Sequence, residues 1–207
     1  FWAKDIRTFD DLKKREVVVG STGPASGSTI DARVLGTLTG IKFKVVTGYG
    51  NLSDIRLAAE RGETDGFCGL LVSALKTDYW EQYKSGRMAV PVQMGLSKHA
   101  EFPNIPNAYD LVTREEDRQL FRLIFGPWSY GRPLFAPPGT DPARVAVLRA
   151  ALAAVVKDPA YLAETKKLNM EIQPSTPEAV AKLVDQILQT PAPVVERARQ
   201  VLGVAKR

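Results

Sequence analysis

Cysteine and histidine are almost missing from this chain: of 207 residues one is cysteine, Cys68, and one is histidine, His99. A single thiol excludes an internal disulfide and leaves the redox compartment open. With one histidine beside it, the usual zinc ligand set is out of reach. Long apolar runs are missing too. No stretch approaches the roughly 18–20 apolar residues of a membrane span, so the chain reads as soluble. Runs of like charge are also absent: Lys and Arg total 28 against 23 Asp and Glu, a net charge of +5, but the excess is scattered. The basic stripe that nucleic-acid binding needs does not form. The start, Phe1-Trp2-Ala3-Lys4, has neither an initiating Met nor the charged and apolar regions of a signal peptide. Any export signal is therefore expected to have been removed.

What is present is a globular composition, 44% hydrophobic, enough to bury a core as one large domain or two small ones. Residues 1 to about 100 repeat one rhythm of β-rich run, Gly-rich turn and amphipathic helix, which is the signature of βαβ units. The runs are Val17–Gly20, Phe43–Val46, Asp65–Gly69 and Met88–Met94, expected as four strands of a mostly parallel sheet. Between the first two, Ile30, Val34 and Leu38 recur at helical spacing, Ser28 and Asp31 have capping-box spacing, and Gly40 supplies a stop, which predicts a helix over Ser28–Thr39. A second helix is expected over Leu52–Arg61, capped by Asn51 and ended by Gly62, and a third carries Leu70, Leu71, Ala74, Leu75, Tyr79 and Tyr83 up to Gly86.

Prolines punctuate Glu101–Pro138 around one amphipathic segment, Arg114–Phe125, and this stretch reads as a crossover between substructures. After it, Asp141-Pro142, Asp158-Pro159 and Thr176-Pro177 each place a capping side chain before a proline, the grammar of a helix start. The tail is thus expected to be nearly all helix. Its apolar stripes, Val145, Leu148, Leu152 and Val155, then Val180, Leu183, Val184, Ile187 and Leu188, need something to pack against.

The ten residues Gly20–Thr29 join a strand to a helix and are small, polar and glycine-rich. Such a turn lets backbone approach a ligand closely and aims the unpaired N–H groups of the helix start at it, so an anion suits the place. The bland alternative is a capped turn without a ligand. A nucleotide-hydrolysing P-loop does not fit, because Thr22 stands where its first glycine belongs and Ser28 where its lysine belongs. The dinucleotide glycine spacing fails as well. After the second run, Gly48-Tyr49-Gly50-Asn51 should lie at the same sheet edge, since the carboxyl ends of parallel strands face one crevice. Tyr49 can stack on or donate to a ligand and Asn51 can offer its amide, or the two are merely a turn residue and a helix cap. Gly69 ends the third run at the same edge. Cys68 reads as a buried apolar residue, and His99 sits in a loop far in sequence from any nucleophile elbow.

The order of these motifs carries a resemblance. Thr8-Phe9-Asp10-Asp11-Leu12, Val19-Gly20-Ser21-Thr22-Gly23 to Ser28, Gly40, Tyr49, Arg61-Gly62-Glu63-Thr64-Asp65-Gly66, Leu134-Phe135-Ala136-Pro137-Pro138-Gly139-Thr140 and Asp158-Pro159 together resemble the extracytoplasmic solute receptors of tripartite tricarboxylate transporters, the TctC or Bug family. The resemblance covers nearly the whole chain. It implies an α/β, periplasmic-binding-protein type II-like lobe with a mostly parallel sheet, followed by a helical return segment. Residues 1–130 would be the second lobe of a two-lobed protein and 131–207 a segment belonging to the first lobe, whose N-terminal part would be missing here. It also implies a periplasmic protein that holds a small organic carboxylate without a cofactor or metal and delivers it to membrane components of the transporter. The expected ligand-binding residues are Ser21, Thr22, Gly27, Ser28, Thr29, Tyr49, Asn51 and Gly69, and no catalytic residue is expected. Two features depart from the family pattern: Tyr49-Gly50-Asn51 replaces a common Tyr-Lys-Gly, and Thr113–Trp128 is more helical. An α/β enzyme acting on a small carboxylate or phosphate ester is the rival reading, and an interaction module docking through the helical tail is a third. Without first-lobe strands to cover it, the tail is expected to drive homo-oligomerisation.

Overall fold

The computed structural model describes residues 1–131, 133–168, 170 and 172–204. Strand β1 (Val17–Ser21) pairs in parallel with β2 (Phe43–Thr47), from Val17 opposite Phe43 to Ser21 opposite Thr47. Helix α1 (Gly27–Thr39) makes the crossover between them and ends on Gly40, whose φ of 76° is the left-handed geometry that favours glycine. Helix α2 (Leu52–Glu60) follows β2, and the Asn51 side chain caps it by accepting from the Asp54 amide at 3.0 Å.

The third and fourth runs do not form full strands. The third makes a single parallel bridge, Val19 with Gly66, supported by Asp65 N–H to Val18 O at 2.7 Å and Gly20 N–H to Gly66 O at 2.9 Å. Its far side is occupied by the chain's first residues: Trp2 N–H donates to Asp65 O at 2.8 Å, and Phe1 exchanges bonds of 2.9 and 2.8 Å with Ala89. Phe1–Ala3 thus lies between the third and fourth runs, which were expected only as strands of one mostly parallel sheet. Gly66 permits this crossing, since a Cβ there would sit 2.7 Å from the Phe1 Cα. In the fourth run Pro91 has no N–H to give a ladder. What remains is one bridge, Gln93 with Asn107.

Side chains alternate across this layer, as extended backbone requires. Phe1, Val17, Val19 and Cys68 join Ala32, Val34 and Leu35 of α1 in one core, while Trp2 and Phe67 join Ile55, Leu75, Tyr79 and Met88 in a second core on the other face. The expected third helix is broken into α3 (Val72–Asp78) and α4 (Trp80–Lys84), with Leu70 and Leu71 preceding both. Tyr79, at the break, leaves helical geometry and buries its ring against Trp2 and Phe67, 5.9 and 6.1 Å away.

The proline-rich crossover contains α5 (Ala108–Leu111), α6 (Glu115–Phe125) and a 3-10 turn over Gly126–Tyr130. The tail is helical: α7 (Pro142–Val155), α8 (Pro159–Lys167), α9 (Pro177–Leu188) and α10 (Ala192–Leu202). Asp141, Asp158 and Thr176 cap the first three of these through bonds of 2.8, 2.9 and 3.2 Å. Helix α10 returns to α6, where Val194 and Ala198 cluster with Leu120 and Arg197 pairs with the buried Asp117. Leu183 and Ile187 of α9 pack on Gly126. The apolar stripe of α7 finds no such cover: Leu148 is 61% exposed, and Leu152 and Val155 also face solvent. Among the described residues, no helix is long and apolar enough to cross a membrane.

Candidate functional site

The turn after β1 is organised by Ser21, which is fully buried. Its hydroxyl lies 2.7 Å from the Ser26 hydroxyl, 2.9 Å from that of Ser28 and 2.7 Å from that of Thr29. Ser26 and Thr29 both donate to the Gly23 carbonyl, at 2.8 and 2.7 Å. These hydroxyls therefore hold the loop, and Thr22 is left exposed beside them. The helix start differs from the expected capping box. Ser26, not Ser28, is the N-cap residue, without a side-chain cap bond, because the Ser26 and Ser28 hydroxyls are turned toward Ser21. The first turn of α1 consequently carries the amides of Gly27, Ser28 and Thr29, none of which donates to an acceptor among the described residues. They lie at the positive end of a helix of 13 residues.

The other two loops converge here. Tyr49 N–H donates to Ser21 O at 3.3 Å, and the Tyr49 ring would stand 3.2 Å from a Cβ at Gly20. A Cβ at Gly69 would lie 3.6 Å from both the nitrogen and the Cα of Ser28. The third run is held against β1 by Asp65, whose carboxylate pairs with Arg15 through two bonds of 2.7 Å and accepts from Val18 N–H at 2.7 Å. Of the sequence-selected residues, Ser21, Ser28, Thr29, Tyr49 and Gly69 are thus brought together near the carboxyl end of β1, with Thr22 and Gly27 in the same turn. The Ser21, Ser28 and Thr29 hydroxyls hold the turn, and the Asn51 side-chain oxygen caps α2.

One residue of the site was missed as such. Asp31 has capping-box spacing to Ser28, yet among the described residues its carboxyl reaches no hydrogen-bond donor and no cation, and the residue is 6% exposed. Burial pushes it up to about 7. Its Oδ2 lies 2.7 Å from where a Gly69 Cβ would be, so Gly69, with φ of 86°, leaves it the room. The available signal was an acidic residue within the otherwise apolar face formed by Ile30, Val34 and Leu35. Cys68, beside it, is buried, and its thiol is pushed up to about 12 by that burial. His99 lies in its loop against Phe102, ring centroids 5.4 Å apart, with Nδ1 accepting from Glu101 N–H at 3.2 Å. Among the described residues no group of three or more His, Cys, Asp or Glu side chains is placed to hold a metal ion.

Neither a protein-family model nor a curated protein matches the chain. Solved structures do. A TctC solute-binding protein from Polaromonas, crystallised without ligand, is similar over 94% of this chain at a TM-score of 0.62 and 17% identity. An R. palustris protein solved with adipate is similar over 98% of this chain at a TM-score of 0.54 and 15% identity. The chain spans 63% of the length of each of these proteins. Over that span, its fold is the α/β fold of a TctC-type solute-binding protein.

Proposed function

We propose that this chain is the larger part of an extracytoplasmic solute receptor that captures a small organic carboxylate for membrane components of a tripartite tricarboxylate-type transporter. The observation that carries the reading is the set of unpaired amides at Gly27, Ser28 and Thr29, fixed by the Ser21 hydroxyl network at the meeting point of three loops. A carboxylate there gains about 0.3–2 kcal/mol from the helix dipole and roughly 1.5–3 kcal/mol for each charge-assisted hydrogen bond. That is enough for binding near micromolar once a second surface closes over it. In this reading Thr22 and the Tyr49 ring border the ligand and Gly69 lets it approach. Asn51 contributes by fixing the loop that carries Tyr49.

Residues 1–130 then act as the second lobe, and residues 131–207 belong to the first. The uncovered apolar stripe of α7 supports that division, since it faces solvent while α9 and α10 are docked. The role is binding rather than catalysis, and it needs no cofactor. The fold shared with a TctC solute-binding protein and with a protein solved with adipate supports a solute-binding role and an extracytoplasmic place. A thermal-shift screen of mono-, di- and tricarboxylates tests it: the reading predicts that at least one class raises the melting temperature in a dose-dependent way. No stabilisation by any of them up to tens of millimolar would contradict it.

A further inference from the structure

A largely buried carboxyl without a protein partner is unfavourable, and among the described residues no donor or cation meets that of Asp31, which is 6% exposed. Among the described residues it makes no bond to α1, to the Ser21 network or to a cation. Its Oδ2 and the unpaired Ser28 amide are both within 4 Å of the same point above Gly69, at 2.7 and 3.6 Å. An acceptor that lacks a donor thus stands next to donors that lack an acceptor. A ligand carboxylate on the Gly27–Thr29 amides would bring the atoms attached to its neighbouring carbon against Asp31. A second bare carboxylate placed there meets like charge, whereas a hydroxyl or ammonium donates to it.

Resting on the carboxylate-binding reading above, we infer that Asp31 is a specificity-determining residue and that the preferred ligand is a carboxylate bearing a hydrogen-bond donor, hydroxyl or ammonium, beside the carboxyl group. A plain aliphatic dicarboxylate offers Asp31 no donor and binds more weakly. The preference depends on pH in a stated direction. Burial alone raises Asp31 to about 7. No part of that shift comes from Arg33 on α1, Lys44 on β2, Asp110 on α5, or Glu196, Arg197 and Arg199 on α10. The Cys68 thiol, which feels the Asp31 charge, titrates only near 12. Above pH 7 Asp31 is a charged acceptor and the donor-bearing ligand is favoured. Below it, the protonated carboxyl donates to a carboxylate and the preference shrinks.

Succinate, malate and aspartate form a matched series with hydrogen, hydroxyl and ammonium at one position. Calorimetric titration of each into the 207-residue chain at pH 8, and into Asp31→Asn, tests the inference. The expected result is at least tenfold tighter binding of malate or aspartate than of succinate, falling to within about twofold in the variant. The arm that binds tighter says which donor is read. Equal affinities in the unsubstituted protein, or a preference that survives Asp31→Asn, would overturn the inference while leaving carboxylate binding intact. Failure of all three, and of every other carboxylate, would instead bring down the binding reading. Should the variant not melt cooperatively, the same ratio measured in the unsubstituted chain from pH 5.5 to 8.5 decides: it rises through pH 7, and a flat profile contradicts the inference.

Discussion

A methyl group added at Gly69 would meet two obstacles at once. The backbone there has φ of 86°, and the new Cβ would lie 2.7 Å from the Asp31 carboxylate oxygen. The left-handed geometry alone disfavours a side chain by about 1–2 kcal/mol, and the contact adds to it. Gly69→Ala is therefore expected to lower unfolding stability by more than about 1 kcal/mol in denaturant titration, and to weaken ligand binding by displacing the carboxyl. Asp31 itself predicts a pH dependence. Its folded value is raised from 3.8 to about 7, so the folded state holds the proton more tightly than the unfolded chain does. The stability associated with the neutral carboxyl is fully present below about pH 4 and is lost as pH rises through 7. Melting temperatures of the native chain and Asp31→Asn should accordingly diverge between pH 4 and pH 8, with the variant the more stable at pH 8. Parallel curves would show that the carboxyl is not buried as described.

At the scale of elements, short-range chemistry was legible and long-range pairing was not. The caps at Asn51, Asp141, Asp158 and Thr176 follow from local side-chain reach, and all four accept the expected amide bonds. The strand register beyond β2 depends on residues far away in sequence. Nothing around Asp65–Gly69 announces that Phe1–Ala3 will lie between it and Ala89. The break at Tyr79 likewise reflects Trp2 and Phe67, which no helical period contains. The candidate site shows the same divide. Its loops could be placed at one sheet edge from the βαβ rhythm, but the burial of the hydroxyls around Ser21 and the isolation of Asp31 are tertiary facts. The cap assignment carries its own test. Asn51→Ala should destabilise the protein by about 1 kcal/mol, as loss of a helix cap does. Carboxylate affinity should change less than threefold, and a larger loss would make Asn51 a direct ligand contact.

On the scale of the whole molecule, one side is well packed and one is not. Two cores flank the strand layer, and α10 seals α1 and α6. On the tail, by contrast, Leu134, Phe135, Val147, Leu148 and Leu168 all stand more than half exposed. Apolar surface of that extent is rarely left in water. The 207-residue chain by itself is expected to self-associate, which light scattering across a hundredfold concentration range would register as a rising mass. A monomer at every concentration with the tail helices intact would contradict that expectation. Carboxylate capture as proposed depends on the start of α1, and the most direct measurement is an amide-resolved NMR titration with a small dicarboxylate. It predicts weak, saturable binding in the range of about millimolar, because in the two-lobed reading proposed above a chain spanning 63% of its structural neighbours offers one of two opposed surfaces, with the largest shifts at the amides of Gly27, Ser28 and Thr29. Shifts confined to other parts of the chain, or submicromolar binding by these residues alone, would contradict it.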